Sequence, residues 1–366
     1  MSEAKAGSAG VFAIRDASSM AASDWDDLSS RSPLGDAFQS SEWGDLKRTL
    51  GWRPLRYTVE VDGRALVAVL IQERSITRLP VLRRLRVHYA PRGPILLQST
   101  PAAASVALEA LRKVARARHS VALTIDPTWR EDGPLAGVLA GSGFRPAARE
   151  VQISRTAMVI PLRADEEGQH ALLDDSTATN INKARRAGVT VERIDLTDPE
   201  IREPALAEFF EMHATTGRRE DFLVRDREYE LSMWRGLGGA GLASLWFASL
   251  DGRRRSGLLL LHSGRNVVLF AAGSPDDADL RKNRANHLLH WSIMRWAAAA
   301  GFEGYDLGGV DTHDHPGLPA NAGHPLWNLY EFKRRLGGVG EVRVRAHEYT
   351  PNSLLGALWR LARRLR

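Results

Sequence analysis

Apolar and polar positions along this chain follow two rhythms, and the changes of rhythm mark its elements. In PLRYTVEVDGRALVAVLIQER (54–74), two β-rich runs meet at Asp62-Gly63, a pairing that predicts a hairpin. Just before it, SSEWGDLKRTLGW (40–52) opens on Ser and places Trp43, Leu46 and Leu50 at helical spacing. HYAPRGPIL (88–96) reads as a strand broken by prolines, which predicts an edge or a bulge. AAASVALEALRKVARARHS (102–120) predicts a helix and VALTIDP (121–127) a strand. The second half repeats the order. LASLWFASLDGRRRSGLLLLHSGRNVVLFAAGS (242–274) gives three strands with an Asp-Gly-Arg turn after the first, NHLLHWSIMRWAAAAG (286–301) a helix, and GYDLGGV (304–310) a strand.

The spacing of these matched elements is nearly constant. The turns at Asp62 and Asp251 lie 189 residues apart, and the strand-ending Asp126 and Asp306 lie 180 apart. Hairpins with Asp-Gly are common, but a matching strand and helix after each argues for an internal duplication. The unit of hairpin, strand, helix and strand predicts an α/β fold with mixed sheets, not an alternating dinucleotide-binding domain. Between the halves, TATNINKARRAGVTVERID (177–195) carries Lys183, Arg185 and Arg186 on a helix that stops at Gly188. Cations at a helix C-terminus are favoured by its dipole, with no ligand needed.

Composition narrows the chemistry. The 366 residues suit two domains. A formal charge of +6 favours anionic partners such as phosphates, nucleic acid or an acidic membrane surface. The chain has no cysteine, so thiolate catalysis, disulfides and Cys-based zinc sites are excluded. MSEAKAGSAGVFAI lacks the apolar core of a signal peptide, no stretch approaches the roughly 20 apolar residues that span a bilayer, and residues 1–10 read as a disordered tail. The expected location is the cytoplasm.

Several reaction classes find no support. There is no G-x-S-x-G elbow and no phosphate-binding P-loop. Asp311, His313, Asp314, His315 and His324 cluster in VDTHDHPGLPANAGH (310–324), a Gly/Pro-rich loop without the rigid framework of a metal site, so no metal is expected. The mixed sandwich suits the GNAT (acyl-CoA N-acyltransferase-like) superfamily. Such enzymes seat pyrophosphate on glycine-rich backbone at a helix start. DLRKNRANHLL (279–289) instead carries Arg284 and Asn286 there, and LLQSTPAAAS (96–105) also lacks the loop. A GNAT-like fold without it needs another acyl donor.

YAPRGPIL, NINKARRAGVTVE, FLVRDREYE, AAGS, YDLGGV and LYEFKRRLGG occur in the order seen in the Fem (FemABX) peptidyltransferases, which the chain resembles from about Phe38 to Tyr349. The resemblance implies two tandem GNAT-like domains, residues 11–155 and 156–340, with 341–366 returning to the first. No long coiled-coil insertion separates Glu200 from Tyr229, as in compact members. It also implies transfer of an amino acid from aminoacyl-tRNA, a co-substrate in place of any cofactor, to the stem-peptide amine of a peptidoglycan precursor (UDP-MurNAc-pentapeptide or lipid II). Lys47 and Arg225 match contacts to the precursor's phosphates, with Tyr229 in the adjoining pocket. Asp126 lines the acceptor cleft and joins the catalytic set. Lys333, preceded by Phe332, matches the lysine near the transferred carbonyl. The family often has an aromatic pair before AAGS, where this chain keeps only Phe270. The rival is an N-acyltransferase that takes its acyl group from coenzyme A or a carrier.

The residues can be weighed apart from the resemblance. A fixed ammonium beside a tetrahedral oxyanion stabilises it, which is what Lys333 could supply. Spacing alone places Lys333 on an exposed helix face, because Phe332 and Leu336 form the apolar stripe. Asp126 and Asp306 could orient or deprotonate an amine, while Asp306, before Gly308-Gly309, equally suits a turn. Arg225 could instead pair with Asp221 or Glu228, and Lys47 could lie on a solvated helix face. NSLLGALWRLARRLR (352–366) segregates leucines from arginines, which suits either an interfacial helix on anionic lipid at the inner membrane face or a helix packed on the first domain.

Overall fold

The computed structural model describes residues 11–30, 32–76, 85–275 and 284–364, and in the last helix the side chains only through Ala357 and at Trp359. The tail expected at 1–10 and part of the 279–289 stretch lie outside the described residues. The chain divides into two compact units, one of residues 1–152 and 343–366, the other of 153–342.

The first unit is built on a mixed sheet with the order β1-β2-β3-β4-β6-β15-β7. Its strands are β1 (Phe12–Asp16), β2 (Arg53–Val61), β3 (Arg64–Ser75), β4 (Arg86–Ala90), β6 (Ser120–Ile125), β7 (Arg145–Pro146) and β15 (His347–Tyr349), with β5 (Ile95–Leu96) beside β3. The hairpin forms at Asp62-Gly63, both at positive φ (50° and 74°), the conformation that an Asp-Gly pair accepts readily. Odd-numbered residues of β3 such as Val67, Val69 and Ile71 join a core with the helix Pro101–Ala117, whose Leu108, Leu111 and Val114 face the sheet. β4 is not an edge strand. It lies between antiparallel β3 and parallel β6 and ends at Ala90, so Pro91 and Pro94 fall outside the ladder and disturb nothing.

The second unit has the sheet order β14-β8-β13-β12-β11-β10-β9. These are β8 (Thr156–Pro161), β9 (Thr190–Ile194), β10 (Ala243–Leu250), β11 (Arg253–Ser263), β12 (Asn266–Gly273), β13 (Gly304–Gly309) and β14 (Val339–Val342). The Asp251-Gly252 turn repeats the positive φ values of the first hairpin, at 53° and 70°. On one face the helices Asp175–Arg186 and Ala285–Ala299 bury Ile181, Leu289, Ile293 and Met294 against the strands. Towards the other, helices Pro199–Glu220 and Arg227–Gly239 supply Phe209 and Trp234, and Phe209 packs on both Trp234 and Phe247. Each unit therefore carries the hairpin, strand, helix and strand of the predicted repeat, and its last two strands are parallel. No coiled-coil arm separates Glu200 from Tyr229.

The C-terminal helix Ser353–Arg364 belongs to the first unit. Trp359 Nε1 donates to Glu348 Oε2 at 3.3 Å, and buried Gly356 leaves no room for a Cβ beside Thr350. Leu354 remains 70% exposed. The arginine side chains of this helix lie outside the described residues. No helix among the described residues is long and apolar enough to cross a membrane.

Candidate active site

The two parallel strands of the second unit part early. β12 pairs with β13 only over residues 266–268 and 304–306. Beyond Asp306 the strand kinks. Gly308 takes φ +78°, its N–H bonds Asp306 Oδ1 at 2.7 Å, and the register against β8 slips before Gly309. The kink leaves the Gly309 carbonyl unused by the ladder on the β12 side, and Lys333 Nζ donates to it at 2.8 Å.

Lys333 reaches that carbonyl from the helix Trp327–Arg335. The sequence pattern placed it on the exposed face, and the structure reverses this: Lys333 is the one buried residue of the helix, 6% exposed. Arg334 and Arg335 turn outward and pair with Glu331 at 2.7 and 3.3 Å. The helix ends in a Schellman-type cap, in which Gly338 N bonds Lys333 O and Gly337 takes φ +93°. A Cβ at Gly337 would lie 2.9 Å from the Leu172 carbonyl, so this position requires glycine. Periodicity failed because Lys333 is drawn inward by a backbone acceptor, not by hydrophobicity.

The electrostatics around Lys333 are uneven. Burial lowers its pKa to about 8, and the carboxylate of Asp306, itself buried, works in the opposite direction. Two histidines, His287 and His290, stack edge-on against Phe332 at 5.5 and 5.6 Å. Burial brings His287 down to about 4 and His290 to about 3, so both are neutral near pH 7 while Lys333 keeps most of its charge. His290 Nδ1 shares a hydrogen bond with the Tyr305 hydroxyl at 2.9 Å. Asn180 Nδ2 lies 3.4 Å from His287 Nε2. Sequence reasoning did not single out these histidines, although their spacing of three on one helix was a usable signal. Phe270 lies half-buried on β12, past the point where the strands part.

Arg225 and Tyr229 form a second cluster in the same unit, at the start of the helix Arg227–Gly239. Among the described residues Arg225 makes no ion pair with Asp221 or Glu228. Its guanidinium lies over the Tyr229 ring, 5.4 Å from the centroid. Asp226 caps the helix by accepting from the N–H groups of Glu228 and Tyr229, which fixes the loop that carries Arg225.

Lys47 and Asp126 belong to the first unit. Ser40 caps the helix Ser41–Thr49, and Lys47 in its last turn lies over the Trp43 ring at 4.3 Å, with Phe38 stacked on Trp43. Asp126 is 4% exposed and fully engaged: Tyr89 Oη and Gln152 Nε2 donate to Oδ2 at 2.9 and 2.7 Å, and Arg92 N to Oδ1 at 2.7 Å. Burial raises its pKa despite these donors and nearby Arg92. The acid-rich loop after β13 is also structurally occupied. Asp311 accepts from Thr156 N, Thr156 Oγ1 and Arg155 N. No group of three potential metal ligands occurs among the described residues.

Similarity to known proteins follows the same division. Residues 20–133 match the profile of the FemAB family, and 175–315 match that of an acetyltransferase (GNAT) domain. Lipid II:glycine glycyltransferases of Staphylococcus haemolyticus (strain JCSC1435) and Staphylococcus aureus (strain USA300) are 24% and 26% identical to it, over 88% of this chain and 90% of theirs. These matches support a Fem-type chain. It is a transferase with a GNAT-like α/β fold carried on two mixed sheets. Its fold matches the crystal structure of FemX with a TM-score of 0.78 at 21% identity, covering 93% of this chain and 98% of that one. L-PGS from Bacillus licheniformis shares the fold more loosely, with a TM-score of 0.52 at 14% identity over 93% and 96%.

Proposed function

We propose that this protein transfers an amino acid from aminoacyl-tRNA to an amine on the stem peptide of a peptidoglycan precursor. The observation that carries the reading is the buried ammonium of Lys333 beside the parted strands of a GNAT-like sheet. Supporting it are curated relatives whose named activity is glycyl transfer to lipid II. Of the three N–H groups on Nζ, one is donated to Gly309 O, which leaves two for a substrate oxygen.

The chemistry needs little more. The aminoacyl ester is already activated, so no covalent enzyme intermediate is required. A neutral acceptor amine attacks the ester carbonyl, and the tetrahedral oxyanion forms against the Lys333 ammonium. Collapse breaks the bond to the ribose oxygen and leaves an amide. The amine's proton passes to that departing oxygen, with no net proton taken up. Neutral His287 and His290 keep competing positive charge away from the ammonium. In the second unit Arg225 supplies a cation for a precursor phosphate, Tyr229 and Phe270 offer rings to the acceptor, and Asp306 holds the Gly308 turn. In the first, Lys47 is a further phosphate cation and Asp126 holds the turn at Arg92.

The test is incubation with mixed charged tRNAs and either UDP-linked or lipid-linked precursor, read by product mass. A gain of one aminoacyl residue, dependent on tRNA, is expected; no product from either acceptor with any charged tRNA overturns the reading. The GNAT-domain match over 175–315 favours a second reading, acyl transfer from coenzyme A. Acetyl-coenzyme A in a parallel incubation distinguishes the two.

A further inference from the structure

The motif YAPRGPIL contributes a residue that the reading above leaves unused. Ala90, Pro91, Arg92 and Gly93 form a β-turn closed by Gly93 N to Ala90 O at 3.2 Å. Proline stands second, and the third residue takes φ +55°. That is the pattern of a type II turn, whose third position favours glycine. Here it holds an arginine. Among the other positive-φ residues with side chains, Asp62 and Asp251 make hairpin turns, His119 and Asp221 follow helices, and Arg284 precedes one. At Arg92 the turn itself demands the left-handed conformation, which strains an arginine where glycine would not be strained.

Two buried side chains, Asp126 and Gln39, hold the turn. Asp126 Oδ1 takes the Arg92 N–H at 2.7 Å, and Gln39 Nε2 donates to Pro91 O at 2.7 Å. A Cβ at Gly93 would come within 2.8 Å of that same Gln39 amide, so the chain passes as closely as glycine permits. The Arg92 guanidinium, half-buried, makes no hydrogen bond or ion pair with any described residue. Asp126 gives its oxygens to other donors, and Asp36 accepts from Phe38 N. Both carboxylates are close enough to act on Arg92 electrostatically without pairing with it. Strain kept at a rigidly held turn, with all five N–H donors of the side chain unspent, points to a ligand.

We infer that Arg92 is a substrate contact that binds an oxyanion of the acceptor, a phosphate or a carboxylate, with Asp126 as the residue that positions its turn. This rests on the proposed aminoacyl transfer. A fork of N–H groups on a fixed backbone suits such a group, where a flexible lysine would not.

Arg92→Gly separates the inference from a structural role, because glycine relieves the turn and keeps the N–H bond to Asp126. Expected is an acceptor KM raised about tenfold or more with kcat little changed, together with a melting temperature equal to or above that of the parent. Arg92→Lys should recover only part of the affinity. A muramyl peptide without diphosphate separates the sources. If the parent-to-variant ratio persists the anion is the peptide carboxylate, and if it collapses the anion is the diphosphate. An unchanged KM for the full acceptor, or a lowered melting temperature with proportionate loss of all activity, overturns the inference. Failure of the parent protein to transfer at all would instead count against the parent reading.

Discussion

The two units carry the same parallel strand pair and use it differently. In the first, β4 and β6 stay paired through Ala90 and Ile125, and the next residue, Asp126, closes the end of the pair with three donors. In the second, β12 and β13 part after Val268 and Asp306, and the gap admits a lysine. The difference traces to backbone: Gly308 at φ +78° kinks β13, while β6 has no such residue. Duplicated halves can thus divide labour. One keeps its carboxylate as a clamp on a turn, and the other opens its sheet around a buried cation.

The comparison breaks most visibly at Lys333. Lys333→Met should lower kcat about 100-fold or more, the loss typical of an oxyanion donor at ~2.7–4 kcal/mol, while acceptor binding by calorimetry is kept. Near-parental turnover would remove the reason to treat the second unit as the catalytic one. The same substitution has a pH signature. Unfolded lysine titrates near ~10.4 and folded Lys333 near about 8, so between these values the unfolded chain binds more protons and stability rises with pH. That rise, on the order of 3 kcal/mol, should be missing from chemical denaturation of Lys333→Met. Activity that needs the ammonium should fall above about pH 8 in the parent, and Lys333→Arg should move the fall to higher pH.

Asp126 should respond in the opposite way. Asp126→Ala strands the Arg92 N–H, the Tyr89 hydroxyl and the Gln152 amide, and should cost about 1–3 kcal/mol in denaturant titration. Asp126→Asn keeps the shape and one acceptor oxygen and should retain most of kcat. A loss of kcat as large as that of Lys333→Met would make Asp126 a proton-transfer group and erase the contrast between the units. For the proposed phosphate contacts, Lys47→Ala and Arg225→Ala should each raise acceptor KM several-fold with smaller effects on kcat. Steady-state kinetics with varied acceptor would show it, and an unchanged KM in both would discard the assignment. The smallest difference is expected at the hairpins. Gly63→Ala and Gly252→Ala force a side chain to positive φ in the same turn and should each cost about 1 kcal/mol in thermal melts. Unequal costs would mean that the two turns are not equivalent.

Much of this architecture was legible in the chain. Asp-Gly turns, β-rich runs and a helix before a final strand specify local geometry through backbone preference and alternation, and both act over a few residues. They gave the repeat, and spacing confirmed it. The single misplaced strand, 88–96, was misread because proline was taken to weaken a ladder that ends before it reaches Pro91. Periodicity could not say which member of Lys333-Arg334-Arg335 turns inward, since all three are cations and the choice depends on a carbonyl 24 residues away. Nor could it show that His287 and His290 are neutral, or that Arg92 occupies a glycine's conformation. Burial and backbone dihedrals arise when distant segments meet. The order of residues determined which elements form and that they form twice; only packing decided where charge is desolvated, because desolvation depends on neighbours that sequence distance does not reveal.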